Sequence, residues 1–168
     1  MNIAQIKNQW LSEQVEVEFP TPQSLVGRKL YLDSVKECTY QEIEECEFSG
    51  VRPQDVFRVD FHRLTVMFAQ LQARQYADSD AKEAIIEFFT QIIYSPPCEL
   101  YLGFENGEPV AAGILTRTEQ AVLVSDLFVL ESNSIYRSAL DFAYHILKQS
   151  RIDELGIGCW AELTSVNI

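Results

Sequence analysis

The sequence predicts an α+β domain with a mixed, mostly antiparallel central sheet flanked by helices. Three observations carry this. Leu100, Leu102 and Phe104 alternate with Tyr101 and Gly103, and the Asn106-Gly107 pair that follows tolerates the positive φ of a tight hairpin, so residues 109–116 are the return strand. Residues 121–130 are a near-continuous apolar run, the pattern of a central strand buried on both faces, entered through the polar turn 117–120. Ahead of this meander, Ala84, Ile85, Phe88, Phe89, Ile92 and Ile93 form a broad stripe at helical spacing. A chain of 168 residues buries about 70% of its unfolded surface and suits one core. One domain over 1–168 is expected, mainly helical over 1–97, with the meander, a helix and a fifth strand over 98–163.

The amino-terminal half reads element by element. Ile3, Ile6, Trp10 and Leu11 share one face of a helix over 3–13. Val15, Val17 and Phe19 alternate with glutamates as a short edge strand stopped by Pro20 and Pro22. Residues 27–35, with Leu30-Tyr31-Leu32, read as a strand. Thr39 and Glu42 have capping-box spacing, which places a helix over 40–48 ended by Gly50. From Pro53, the spacing of Phe57, Phe61, Leu64, Phe68 and Leu71 gives a helix; alternatively residues 56–61 are a strand before a helix from His62. Asp78 or Asp80 caps the next helix, which stops before Pro96-Pro97.

Composition narrows the function. The net charge of −12 is spread evenly and repels polyphosphates, which argues against nucleic-acid or anionic-membrane binding. No apolar run approaches the roughly 20 residues of a membrane span, and residues 1–14 lack the apolar core of a secretion signal. Cys38, Cys46, Cys98 and Cys159 form no CxxC pair and only two histidines are present, so no metal is expected, and reduced thiols in the cytoplasm are. Glu42, Glu44, Glu45 and Glu47 read as a solvated helix face rather than a cation loop. His62 and His145 read as structural. No GxSxG, GxGxxG or GxxxxGK[ST] is present.

One stretch carries a resemblance. A helix ending near Tyr94, then LYLGFENGEPVAAGILT, then AVLVSDLFVL, then a loop and a helix with SALDFAYHILKQS, resembles the heart of the GCN5-related N-acetyltransferases, over roughly residues 80–163. In that family the second to fourth strands form an antiparallel meander. A bulge at the end of the fourth exposes amides to the pantetheine arm of acetyl-CoA, the pyrophosphate rests on the following helix's amino terminus, and a gap separates the fourth and fifth strands. Helix amides and the helix dipole hold an anion without many lysines.

The resemblance implies an acyl-CoA N-acyltransferase-like sheet and transfer of an acyl group from acetyl-CoA, or another acyl-CoA, to an amine on a small molecule or peptide. It implies Asp126 as the base, with Tyr144 and Tyr136 as acids by residue type. It turns the amides of Phe128, Val129 and Leu130 toward pantetheine and Ser134, Arg137 and Ser138 toward phosphate. Cys159 would lie near the strand gap, though an inert buried thiol is the stronger reading. The departures are as specific. The family's glycine-bearing Arg/Gln-x-x-Gly-x-Gly/Ala loop is replaced by the glycine-free residues 131–138, about two residues shorter by hand alignment, where Glu131 opposes a phosphate. The usual later helix and closing strands have no counterpart, so the amino-terminal half must complete the fold. This is a divergent member with a degenerate pyrophosphate loop. The alternative is an acyltransferase-like domain without catalysis, acting as a binding or regulatory module; a third reading is an unrelated α+β interaction protein whose acidic surface recognises a basic partner, with the aromatic amino-terminal helices packing across a homodimer interface.

Overall fold

The structure, a computed structural model, describes residues 2–164. Its centre is a six-stranded sheet of β1 Thr39–Ile43, β2 Val56–Arg58, β3 Cys98–Glu105, β4 Glu108–Arg117, β5 Ala121–Val129 and β6 Gly158–Leu163, in the spatial order β1-β6-β5-β4-β3-β2. All neighbours are antiparallel except β5 and β6, which run parallel. The expected α+β class and meander are present. Asn106 and Gly107 take φ of 52° and 80°, the left-handed pair that closes the β3–β4 hairpin. Thr118 closes the next turn, its amide donating to Ala121 O at 2.9 Å and its hydroxyl accepting from the Ala121 amide at 3.1 Å.

Two helical layers cover the sheet. On one face lies α6 Ala139–Gln149, whose Phe142, Ala143, Ile146 and Leu147 are buried against Leu115, Val122 and Val124, with the short α3 Glu45–Phe48 beside it. On the other face lie α1 Asn2–Glu13, α2 Pro22–Ser34, α4 His62–Ala73 and α5 Ser79–Phe89. There Tyr31, Phe68, Phe88 and Phe89 stack edge-on or tilted over Leu100, Leu102 and Ile114. The helix over 3–13 stands as read, and Asp78 caps the next helix, accepting from the Ala81 amide at 3.0 Å, but that helix ends at Phe89 instead of running on toward Pro96-Pro97, so Ile92 and Ile93 lie beyond it and Ile93 is exposed. Among the described residues no helix is long and apolar enough to cross a membrane.

The amino-terminal half holds the differences from expectation. Residues 27–35 are not a strand: 27–34 are the end of α2 and Val35 is its C-cap, and the helix is capped at its start by Thr21, whose hydroxyl accepts from the Ser24 amide at 3.2 Å. The buried face of α2 is Ser24, Gly27 and Tyr31, spaced as a helix but too polar to show as an apolar stripe. Val15 is buried, but residues 16–19 bend through solvent, with Phe19 86% exposed, and form no strand. The helix placed over 40–48 is β1, then α3; the capping box is Glu44 with Glu47, five residues beyond Thr39 and Glu42. Tertiary pairing overrides the local signal here, because β1 zips antiparallel onto β6 from Thr39↔Leu163 to Ile43↔Cys159. Between the two readings of 53–71, the strand followed by a helix from His62 is the one formed. Both margins of the sheet, β1 and β2, therefore come from the amino-terminal half.

Gly27 marks the closest helix approach. A Cβ placed there would sit 2.0 Å from the Ala84 carbonyl oxygen of α5. Glycine to alanine stabilises an isolated helix by about 1 kcal/mol. At this crossing the sign reverses: Gly27→Ala is expected to lower the unfolding free energy by about 1–3 kcal/mol through overpacking, read from urea denaturation. An unchanged or higher midpoint would show that α2 and α5 do not pack this tightly.

Candidate functional site

The site is built where β5 stops being a regular strand. Ser125 pairs with Ile114 and Phe128 with Ala112, so Asp126 and Leu127 together oppose Gly113 in a β-bulge, and Asp126 takes a φ of 53°. Gly113 leaves room for this, since a Cβ there would be 2.8 Å from Ile146 Cδ1 and 3.0 Å from Leu127 Cδ2. On its other side β5 pairs with β6 only from Ala121↔Gly158 to Val124↔Ala161. The residues beyond the last pair, Asp126 and Glu162, face a gap between two parallel strands.

Lys7 of α1 fills that gap. Its fully buried ammonium donates to Glu162 Oε1 at 2.8 Å, to Tyr31 OH at 2.7 Å and to Asp126 Oδ2 at 3.2 Å, which engages all three of its protons. Asp126 Oδ2 also accepts from Ser125 Oγ at 2.7 Å, and the Asp126 carbonyl accepts from Gln72 Nε2 at 2.6 Å. Glu162 Oε2 accepts from Tyr40 OH at 3.2 Å. Burial alone would lower the Lys7 pKa, yet the two carboxylates outweigh it and hold the ammonium above its usual 10.5. Burial, with Asp126 adding, raises the Glu162 carboxyl; burial and then Glu162 push Tyr40 and the Cys38 thiol each up to about 12. A cleft of about 260 Å³ opens onto this network beside Tyr31, Cys38, Gln72, Tyr76, Asp126 and Glu162.

A second cleft, of about 740 Å³, adjoins the other end of the bulge along residues 128–139 and Arg74. Its loop is closed by the chain's own acceptors. The Glu105 carboxylate accepts from the Ser134 amide, at 3.0 Å to Oε2, and from the Ser134 hydroxyl. Asn133 Oδ1 accepts from the Ile135 amide at 3.0 Å and the Tyr136 amide at 2.6 Å, while the Asn133 amide donates to Leu130 O at 3.2 Å. At the start of α6, Asp141 Oδ2 accepts from the Arg137 amide at 2.9 Å, and Ser138 Oγ accepts from the Asp141 amide at 3.0 Å. Every amide from Asn133 to Arg137 is thus engaged, and two carboxylates stand where an anion would be received.

The meander, the bulge on the strand before α6 and the parted parallel pair together make an acyl-CoA N-acyltransferase-like fold. One solved structure agrees at the level of fold. The chain is similar to a functionally unknown conserved protein of Staphylococcus epidermidis, with a TM-score of 0.52 and 16% identity over 82% of this chain and 57% of that one. It is similar to a GCN5-related N-acetyltransferase of Kribbella flavida (TM-score 0.46, 18% identity, 80% of this chain and 53% of that one) and to a tandem protein of the same fold from the clavulanic acid biosynthesis pathway (0.43, 10%, 78% and 46%). The chain spans about half the length of the solved structures it matches. No protein-family model and no curated protein matches it.

The structure distributes the sequence-derived candidates unevenly. Asp126 is at the centre, inside an ion network rather than at a solvent edge. Phe128, Val129 and Leu130 border the loop cleft, but the Leu130 amide donates to Val110 O at 2.8 Å, so it faces β4; strand alternation turns the Val129 amide to the open side. Ser134, Ser138 and Arg137 line the same cleft, the Arg137 guanidinium being 89% exposed. Tyr144 is not brought to Asp126: it lies across the sheet on α6, its hydroxyl donating to Glu47 at 3.3 Å. Tyr136 is buried, donating to Gln54 O at 2.6 Å, and Cys159 packs under α6 with its thiol pushed up to about 11 by burial. His62 is exposed at the start of α4, whereas His145 is buried edge-on to Tyr136, its pKa lowered by burial. Among the described residues no group of three or more His, Cys, Asp or Glu is placed to hold a metal ion.

Sequence reasoning missed Lys7, Tyr31, Gln72 and Glu162. A signal existed for two of them: Lys7 follows Ile3 by four residues on the apolar face of its helix, and Glu162 interrupts an apolar strand. Removing one partner of a buried ionic cluster leaves charge uncompensated, so Lys7→Met is expected to lower stability by about 3–5 kcal/mol at pH 7. With no ammonium beside it, the Glu162 carboxyl, already raised by burial, binds its proton more tightly folded than unfolded, so the deficit shrinks as pH falls from 7 toward 4.5. In the wild type the raised Lys7 pKa contributes stability fully below pH 10.5, lost as pH rises through the folded value. Urea denaturation of both proteins across pH reads each slope. A deficit independent of pH would place the lost stability in packing rather than in charge.

Proposed function

We propose that this chain is an acyltransferase-fold domain that does not turn over acyl-CoA and acts as a binding or regulatory module. One observation carries the reading: the amides of Asn133 through Arg137 are all bonded within the chain, two of them to the carboxylates of Glu105 and Asp141. A phosphate cradle needs amides free to point at the anion. The residues present therefore do not fit a coenzyme A pyrophosphate, and no glycine over 131–138 lets the backbone approach one. The gap that would admit an acyl group is in turn filled by Lys7.

A second reading, transfer of an acyl group to a small-molecule or peptide amine, is favoured by the bulge at Asp126 and by the end of β5–β6 pairing at Val124 and Ala161. It requires both Glu105 and Lys7 to release their partners. Thermal denaturation with acetyl-CoA and with coenzyme A separates the two. A ligand at a hundred times its Kd stabilises by about 2.7 kcal/mol, several degrees of Tm for a chain of this size. The expected result is no shift for the wild type with either compound at about 1 mM. A rise of several degrees that is lost in Ser134→Trp would establish coenzyme A binding and favour the second reading.

A further inference from the structure

We infer that the outer edge of β1 is a docking edge for a basic, extended polypeptide segment. β1 is the margin of the sheet, and among the described residues no strand pairs with its outer side. Thr39, Tyr40, Gln41 and Glu42 are exposed. Half the main-chain N–H and C=O groups of a marginal strand point outward, a ready template for another strand, and folded proteins blunt such margins with lysine, proline or a bulge. β1 has none of these: its sequence is TYQEI and its register with β6 runs unbroken over all five residues.

What guards the edge is negative charge. Glu37 precedes β1, Glu42 lies in it, and Glu44, Glu45 and Glu47 follow it. Among the described residues none of these five is ion-paired, whereas nearby Asp33 holds both Lys29 and Lys36, at 2.9 and 3.0 Å. Glu42, Glu44 and Glu45 also line a cleft of about 350 Å³ with Asp153, beside Gly156 and Gly158. Strand alternation puts Tyr40 and Glu42 on one face and Thr39, Gln41 and Ile43 on the other, so an added strand would meet a carboxylate and an aromatic ring on the same side. The charge selects the occupant. A second copy of this chain brings −12 to the same edge and is repelled, while a segment carrying lysine or arginine opposite Glu42 and beside Glu45 at the start of α3 gains ion pairs along with main-chain hydrogen bonds. The assignment stands whether or not the β5 clefts receive coenzyme A, so its failure and that of the reading above are separate results.

The test uses a synthetic peptide of about nine residues alternating lysine with valine and threonine, a strand length, and its counterpart with glutamate for lysine. Amide NMR follows each titration. The basic peptide is expected to shift residues 39–43 and give cross-strand contacts to them; the acidic peptide is not. Glu42→Lys with Glu45→Lys, both exposed, is expected to weaken binding about tenfold or more. Glu18→Lys with Glu83→Lys, which changes net charge equally elsewhere, is expected to leave it unchanged. Shifts scattered over the surface without cross-strand contacts, equal weakening by both pairs, or self-association of the chain through β1 would each overturn the proposal.

Discussion

The structure depends on one buried ammonium. Lys7 joins four elements at one point: α1, which carries it, α2 through Tyr31, β5 through Asp126 and β6 through Glu162. Two parallel strands that part company leave carboxylates facing each other, and an unpaired charge in such a place costs several kcal/mol. The lysine makes the parting tenable. It also ties the first helix into the sheet: α1 buries Ile3, Ala4, Trp10 and Leu11 in the core and delivers Lys7 to the gap.

The same rule governs the neighbouring loop. Backbone N–H groups must be bonded somewhere. In a phosphate-binding loop the ligand does this; here Asn133, Glu105 and Asp141 do it from within. The two clefts that border the bulge of β5 are thus alike in kind, each with its polar groups turned onto the chain itself. Arg74 and Arg137 lend the loop cleft positive charge, but the Arg137 guanidinium lies 3.8 Å from Asp141 and projects into solvent.

Most of the carboxyl-terminal half was legible because its signals are local. Asn106-Gly107 dictates a hairpin, alternation gives β3, and the run over 121–130 gives a strand buried on both faces. The amino-terminal half was read less well because its decisions are made at long range. Leu30-Tyr31-Leu32 looks like a strand until Gly27 is seen against Ala84, and Thr39 looks like a helix cap until β6 is there to pair with it. The site was half legible: Asp126 and the glycine-free loop are visible in the sequence, but nothing local announces that Lys7, 119 residues away, answers Asp126, or that Glu105 closes onto Ser134. Such closures are facts of three dimensions.

The central claim, that the polar groups around the bulge are engaged from within, is tested most directly by amide hydrogen exchange of residues 133–137 in the free protein. Exchange slowed well below the intrinsic rate is expected at all five amides, with no further slowing when acetyl-CoA is added. Exchange near the intrinsic rate in the free protein, followed by strong protection with acetyl-CoA, would contradict it.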